Sequence, residues 1–167
     1  TIHRRVHHAL EQLPEDLREQ AAANFYGIPV HGGVNLCRAV GGVVEATANY
    51  EDLRDILDAI RPRLLVLDTL ARFSGVDEND NPAMTAFCGL LEGLIDAYGC
   101  NIILLHHSNK TSGDLIEDPK ELAKALTQTA MRGASALAGC IRWGMLVAPL
   151  GAALAQKRIG EPATGKY

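Results

Sequence analysis

Two short aliphatic runs in this chain end in residues that can do chemistry. Leu64-Leu65-Val66-Leu67 leads directly into a carboxylate at Asp68 and a hydroxyl at Thr69. Cys100 to Leu105 leads into His106-His107-Ser108-Asn109-Lys110. A carboxylate at the end of a buried strand can hold a divalent cation against the phosphates of a nucleotide. The plainer reading is that Asp68 or Thr69 caps a turn or helix. The imidazoles also have two readings: one detects an anionic group, or one is a satisfied core residue and the other a turn residue. Strand alternation sends one histidine to each face of a sheet and leaves open which of them reaches a ligand.

The elements between these runs decide whether their tips can meet. Both runs have the length and the aliphatic content of strands buried on both faces of a parallel sheet, and Arg61-Pro62 bounds the first. Met84, Phe87, Leu90, Leu91, Leu94, Ile95 and Tyr98 recur at three- and four-residue spacing, which predicts a helix over Pro82 to Tyr98 with Gly99 as its C-terminal stop. Strand, helix, strand in that order is a right-handed parallel crossover, so both polar tips fall on one edge of the sheet.

Elsewhere the pattern predicts two short helices in Thr1 to Leu10 and Glu11 to Glu19, meeting at Leu13-Pro14-Glu15-Asp16. Asn24 to Val30 reads as a strand, and the Gly-rich His31 to Ala48 as loop with an edge strand. Tyr50 to Ile60 reads as a helix from the spacing of Leu53, Ile56, Leu57 and Ile60. Ile141 to Ala148 reads as a third buried strand, and Pro149 opens a helix ending near Ile159.

Five segments in order resemble one family. They are Leu-Val-Leu-Asp-Thr-Leu-Ala-Arg-Phe, Asp77-Glu78-Asn79, Ile-Ile-Leu-Leu-His-His-Ser-Asn-Lys, Arg132-Gly133-Ala134-Ser135-Ala136-Leu137 and Ile141-Arg142-Trp143. Together they are similar to the RecA-like ATPase core of the RepA-type replicative helicases, and His3 to Leu10 resembles a helix of that family. The resemblance implies that Asp68 is the Walker B acid and coordinates magnesium directly or through a water positioned by Thr69. It implies that His107 senses the γ-phosphate and that Arg142 is an arginine finger acting in a neighbouring subunit. The competing reading of Arg142 is an ion pair, or a cation–π contact with Trp143. Lys110 and Arg132 bracket the segment that in such motors contacts single-stranded DNA, which makes them candidate nucleic-acid contacts. A lone lysine in a loop is more often simply solvated.

One departure matters chemically. A P-loop needs Gly-x-x-x-x-Gly-Lys-Ser/Thr between strand and helix, so that backbone N–H groups, the lysine and the hydroxyl cradle the phosphates. Nothing before Asp68 matches. The expectation is that the first strand, the P-loop and its helix lie upstream of Thr1. Gly160 to Tyr167 imitates the motif but carries Tyr167 in place of the magnesium-binding hydroxyl, and is read as coincidence.

Bulk properties fit part of one globular domain. The 167 residues are 47% hydrophobic with mean hydropathy +0.02. No apolar run approaches the roughly 20 residues needed to span a bilayer. There is no basic-then-apolar export signal, and the expected compartment is the cytoplasm. Cys37, Cys88, Cys100 and Cys140 are scattered, have no Cys-x-x-Cys spacing, and are expected to be reduced. His3 and His7 lie four apart but have no further ligands at metal spacing. A net charge of −4 argues against a free-standing nucleic-acid binder, though not against a ring in which a few cations converge on a channel.

The expected fold is α/β: a single partial three-layer RecA-like P-loop NTPase domain over residues 1–167, with a central mainly parallel sheet incomplete at both ends. The expected function is the ATP-hydrolysing motor of an oligomeric, hexameric replicative DNA helicase, using ATP and Mg2+. Its partners would be further copies of itself and single-stranded DNA, with no membrane. Without the P-loop these residues alone are expected to be inactive. The alternatives are a non-hydrolysing RecA-like module that docks onto ATPase rings through the Arg142 edge, or a RecA-like recombination or regulatory ATPase.

Overall fold

The computed structural model describes residues 2–107, 118, 120, 135–145, 147 and 151–159. The chain divides into two compact units, Thr1–Gly32 and Gly33–Tyr167.

The first unit is a helical hairpin of α1 (Ile2–Glu11) and α2 (Glu15–Ala23). Pro14 precedes the first turn of α2, where its missing N–H has no helical partner to lose, and Glu15 and Asp16 sit at the positive end of the helix dipole. The Arg18 guanidinium ties the hairpin together by donating to the carbonyls of Leu13 at 2.9 Å and Glu11 at 3.0 Å. Past α2, Asn24 to Val30 is not a strand. Gly27 and Pro29 interrupt the run, and proline brings no N–H to a ladder, so Phe25, Tyr26 and Ile28 remain exposed.

The second unit opens with an antiparallel hairpin, β1 (Cys37–Val40) and β2 (Val43–Ala46), in register from Cys37↔Ala46 to Val40↔Val43. Its two-residue loop is Gly41-Gly42, with φ of 57° and 83°. Two consecutive positive φ values match the right-handed twist of the strands, which is why the tip is glycine. Then follow α3 (Ala48–Ile60), β3 (Leu64–Asp68), a single turn α4 (Leu70–Phe73), α5 (Asn81–Tyr98) and β4 (Asn101–Leu105). The remaining described helices are α6 (Ser135–Cys140) and α7 (Ala152–Ile159).

The long helix α5 organises the core. Its start is fixed by Asp80, whose carboxylate accepts from the Ala83 N–H at 3.1 Å, with Pro82 in the first turn. Such a cap stabilises a helix by about 1 kcal/mol. Its end is fixed by Gly99 at φ 63°, whose N–H returns to the Ile95 carbonyl. Between these points Ala83, Met84, Phe87, Cys88, Leu91 and Leu94 form the buried stripe. Elements β2, β4, α3 and α6 pack on this helix. The Tyr50 hydroxyl of α3 donates to the Leu90 carbonyl at 3.0 Å, joining the two helices through a polar contact inside an apolar interface.

β3 and β4 form a parallel pair in register from Leu64↔Asn101 to Asp68↔Leu105. Strand, helix and parallel strand therefore follow the expected order, and the protein is α/β. Burial differs from the expectation of strands covered on both faces. Leu67 is buried and Leu65, Ile102 and Leu104 are half-buried on one face, while Leu64 (49% exposed), Val66 (51%), Ile103 and Leu105 are exposed on the other. Among the described residues the pair is two-stranded, and helix α5 covers a single face.

The Ile141 to Ala148 strand is also corrected. Ile141–Met145 and Val147 are irregular, with a bend at Arg142, and Trp143 and Val147 are 71% and 79% exposed. Residues 146 and 148 lie outside the described residues. Apolar content makes a strand only where a neighbour completes the ladder, and Gly144 removes a side chain from the middle of the run.

Candidate functional site

Asp68 is the last residue of β3 and Leu105, its register partner, the last of β4. The parallel register brings the carboxylate of Asp68 and the residues after Leu105 to one edge of the sheet, where crevices of open α/β sheets bind ligands. Asp68 is exposed. Thr69, half-buried and extended (φ −127°, ψ 171°), stands at the N-cap of α4 but makes no side-chain cap bond. The N-cap reading of Thr69 therefore lacks its hydrogen bond, and the hydroxyl is not committed to the helix end.

The two histidines separate by exposure. From Asn101 to His107 exposure alternates without a break, so that His107 is exposed like Leu105 and Ile103, while His106 is half-buried like Leu104 and Ile102. Leu105 and Asp68 are register partners and share a face. The alternation puts His107 on the Asp68 side and His106 on the α5 side.

Backbone hydrogen bonds hold the turn after Asp68. The Arg72 N–H donates to the Thr69 carbonyl at 2.9 Å and the Ser74 N–H to the Leu70 carbonyl at 2.8 Å. The chain before β1 then braces it: the Val34 N–H donates to the Arg72 carbonyl at 3.1 Å and the Leu36 N–H to the Phe73 carbonyl at 2.7 Å. The Cys37 thiol donates to the Ser74 carbonyl, and burial pushes that thiol from 9.0 up to about 11. Leu70 and Phe73 are buried beneath the turn. Composition gave no hint of this brace; its one signal in the sequence is Gly75, which has a φ of +68°.

Asn79 and Asp80 shape the loop that opens α5. The Asn79 N–H donates to the Asp77 carboxylate at 2.9 Å, and Asn81 reaches across to α6, its Oδ1 accepting from the Ala136 N–H at 2.9 Å and the Ser135 hydroxyl at 3.3 Å. The residues of two separate sequence segments, Asp77-Glu78-Asn79 and Ser135-Ala136-Leu137, are thereby connected through Asn81, a link that spacing along the chain did not reveal.

Arg142 is exposed and lies two residues beyond the end of α6. Lys110 and Arg132 lie outside the described residues. Among the described residues no group of three or more His, Cys, Asp or Glu side chains could hold a metal ion. A lone exposed carboxylate beside a hydroxyl nevertheless suits Mg2+, which takes hard oxygen donors, keeps several waters, and is commonly held by one carboxylate plus substrate phosphates. No described helix is long and apolar enough to cross a membrane.

Residues 1–113 match the family model of the AAA domain. The match ends eight residues after Leu105 and so includes Asp68, Thr69, His106 and His107. No solved structure matches the chain.

Proposed function

Because the chain belongs to the AAA domain family of P-loop ATPases, we propose that it carries the magnesium-binding and γ-phosphate-sensing half of the ATP site in a replicative DNA helicase. The observation that supports this is the shared edge of β3 and β4, where Asp68 pairs in register with Leu105, the residue that His106 and His107 follow. In this reading the domain is a three-layer RecA-like unit of the RepA type, acting as a hexameric ring in the cytoplasm.

Asp68 holds the cation, directly or through water, and the Thr69 hydroxyl orients that water. Magnesium, when bound, neutralises charge on the β- and γ-phosphate oxygens. His107, on the Asp68 side of the sheet, hydrogen-bonds the γ-phosphate and reports its loss to the segment that follows. Lys110 and Arg132 in and after that segment meet single-stranded DNA. Arg142 serves the nucleotide of the adjacent subunit, where a guanidinium stabilises charge on the transferred group. No Gly-x-x-x-x-Gly-Lys-Ser/Thr motif occurs in the sequence, so the residues above are assigned to holding the cation and sensing the γ-phosphate, and ATP turnover is tested on the full-length protein.

The test is DNA-stimulated ATP turnover and strand separation on forked DNA by that protein, with Asp68→Asn beside it. Turnover that is lost in Asp68→Asn, together with unwinding by the unaltered protein, supports the reading. Turnover retained in Asp68→Asn removes Asp68 from the site. Turnover without unwinding leaves an ATPase and removes the helicase.

A further inference from the structure

Asn81 joins two parts of the chain that are more than fifty residues apart in sequence. It is the first residue of α5 and follows the Asp80 cap. Its Oδ1 accepts from the Ala136 N–H at 2.9 Å and from the Ser135 hydroxyl at 3.3 Å, both in the first turn of α6. An amide oxygen has two lone pairs, so one acceptor serves both donors. The N–H groups of a first helical turn have no partner within their own helix. Asn81 therefore supplies from a neighbouring element the bond that an N-cap residue supplies locally. Helix α6 packs on α5, and its Leu137, next to the bonded Ala136, is buried.

On one side of Asn81 the chain is bonded back towards the turn after Asp68. The Asp80 N–H donates to the Asp77 carbonyl at 3.1 Å, and the Asn79 N–H to the Asp77 carboxylate at 2.9 Å. Shortly before Asp77 stands Gly75, which has the Cys37 and Asn35 backbone segment hard against it. On the other side, α6 runs for six residues to Cys140, and Arg142 follows two residues later. A helix of this length does not persist without tertiary support. What holds its first turn therefore bears directly on where its end, and Arg142 after it, are presented.

Building on the role given to Arg142 under Proposed function, we propose that Asn81 is a positioning residue for that arginine. By capping α6 from α5 it sets where Arg142 stands towards the nucleotide of the adjacent subunit. Asn81 itself touches no nucleotide and acts only through α6. The effect of a guanidinium on the transferred phosphoryl group depends steeply on placement, and a displacement of about 1 Å can cost roughly 100-fold in rate.

The experiment measures ATP turnover by the full-length protein. Asn81→Ala is expected to lower kcat by about 10-fold or more while KM for ATP stays within roughly twofold, because the arginine acts on charge that develops in the transition state. Asn81→Asp keeps an acceptor oxygen at the same place and is expected to retain turnover. Equal losses in Asn81→Asp and Asn81→Ala overturn the proposal. If Asn81→Ala does not assemble, Asn81→Gln, which moves the acceptor by one methylene, takes its place.

Co-assembly then shows whose nucleotide Asn81 serves. Asn81→Ala subunits are co-expressed with Asp68→Asn subunits, which lack the cation-binding carboxylate but keep Asn81 and Arg142. An Asn81→Ala subunit beside an Asp68→Asn subunit has an intact cation site and a correctly placed arginine from its neighbour. With equal amounts and random assembly about a quarter of the sites are of this kind, so turnover is expected to recover to about a quarter of the unaltered level. Arg142→Ala co-expressed with Asp68→Asn is the control for the arginine itself. Recovery in the control without recovery in the Asn81→Ala mixture overturns the role of Asn81 alone. No recovery in either, or full turnover in Arg142→Ala, overturns the role of Arg142 and the positioning role with it.

Discussion

Gly75 is pressed against the backbone of Cys37: a Cβ on Gly75 would stand 2.0 Å from the Cys37 carbonyl oxygen and 2.7 Å from the Asn35 Cβ. Its φ of +68° adds a backbone conformation that side chains with a Cβ rarely adopt. The position closes the brace between the turn after Asp68 and the segment leading into β1, so the overlap cannot be relieved by a flexible side chain. Gly75→Ala is expected to cost about 3 kcal/mol or more, the range of overpacked and strained sites. Gly41→Ala is the control. It has a similar φ of +57° but open space around it, and is expected to cost about 1 kcal/mol. Urea denaturation midpoints of the two variants separate overlap from dihedral strain.

The link from Asn81 to α6 has its own test. Asn81→Ala removes the acceptor of the Ala136 N–H and the Ser135 hydroxyl without touching the Asp80 cap of α5. Both bonds are exposed, so the freed groups turn to water and the global loss is about 1 kcal/mol. The local effect is larger in proportion, because α6 is too short to persist without tertiary support. Faster hydrogen exchange across 135–140, with exchange in 81–98 little changed, is the expected outcome. An unchanged α6 would mean that Leu137, buried against the core, holds the helix alone.

Asp68 and His107 are exposed, so replacing them should leave stability within about 0.5 kcal/mol while changing activity. In the full-length protein, the proposed role of Asp68 predicts that Asp68→Asn lowers ATP turnover by about 100-fold or more, since it would remove a charge that holds the cation in the transition state. His107→Ala is expected to lower kcat by about 10-fold or more with a melting temperature near that of the unaltered protein. His106→Ala should do the reverse, lowering stability because His106 is half-buried on the α5 side. Paired melting and turnover measurements distinguish the two histidines.

What the sequence disclosed depended on how local the determining signal was. Helix α5 was legible because its apolar stripe, its proline at the start and its glycine at the stop all lie within the helix and its two flanking residues. The shared edge of Asp68 and the histidines was legible for a topological reason: a strand joined by a helix to a neighbouring parallel strand has no other place to put its end. The β1–β2 hairpin was only half seen. Its strands carry exposed Arg38 and Glu45 and so lack a clear alternation, though the Gly41-Gly42 pair was a readable turn. The expected strands at Asn24 to Val30 and Ile141 to Ala148 failed because apolar content measures what could be buried, whereas a ladder needs a partner positioned from elsewhere. The brace at Gly75 and the link from Asn81 to Ser135 and Ala136 join segments tens of residues apart and left no periodic trace.

Burial of thiols makes alkaline pH destabilising. Cys37 is fully buried, donates to the Ser74 carbonyl and is raised from 9.0 to about 11; Cys88 is raised to about 12 and Cys100 in the same direction, each chiefly by burial. The protonated thiol is the neutral form, so a folded pKa above the unfolded one means that the native state holds the proton longer. Below pH 9 both states are protonated and the stabilisation is fully present. Between pH 9 and 11 the unfolded chain releases protons that the folded chain keeps, so it binds fewer protons and the free energy of unfolding falls as pH rises. For Cys37 the upper limit is about 1.4 kcal/mol per pH unit across that window, levelling off above about 11 as the folded thiol also ionises. Chemical denaturation in reducing buffer from pH 7 to 11 should show a plateau, then a decline beginning near 9. Cys37→Ala should start from a lower plateau, having lost its side-chain contact, and decline less steeply. A decline of equal slope in the variant would assign the alkaline loss to groups other than this thiol.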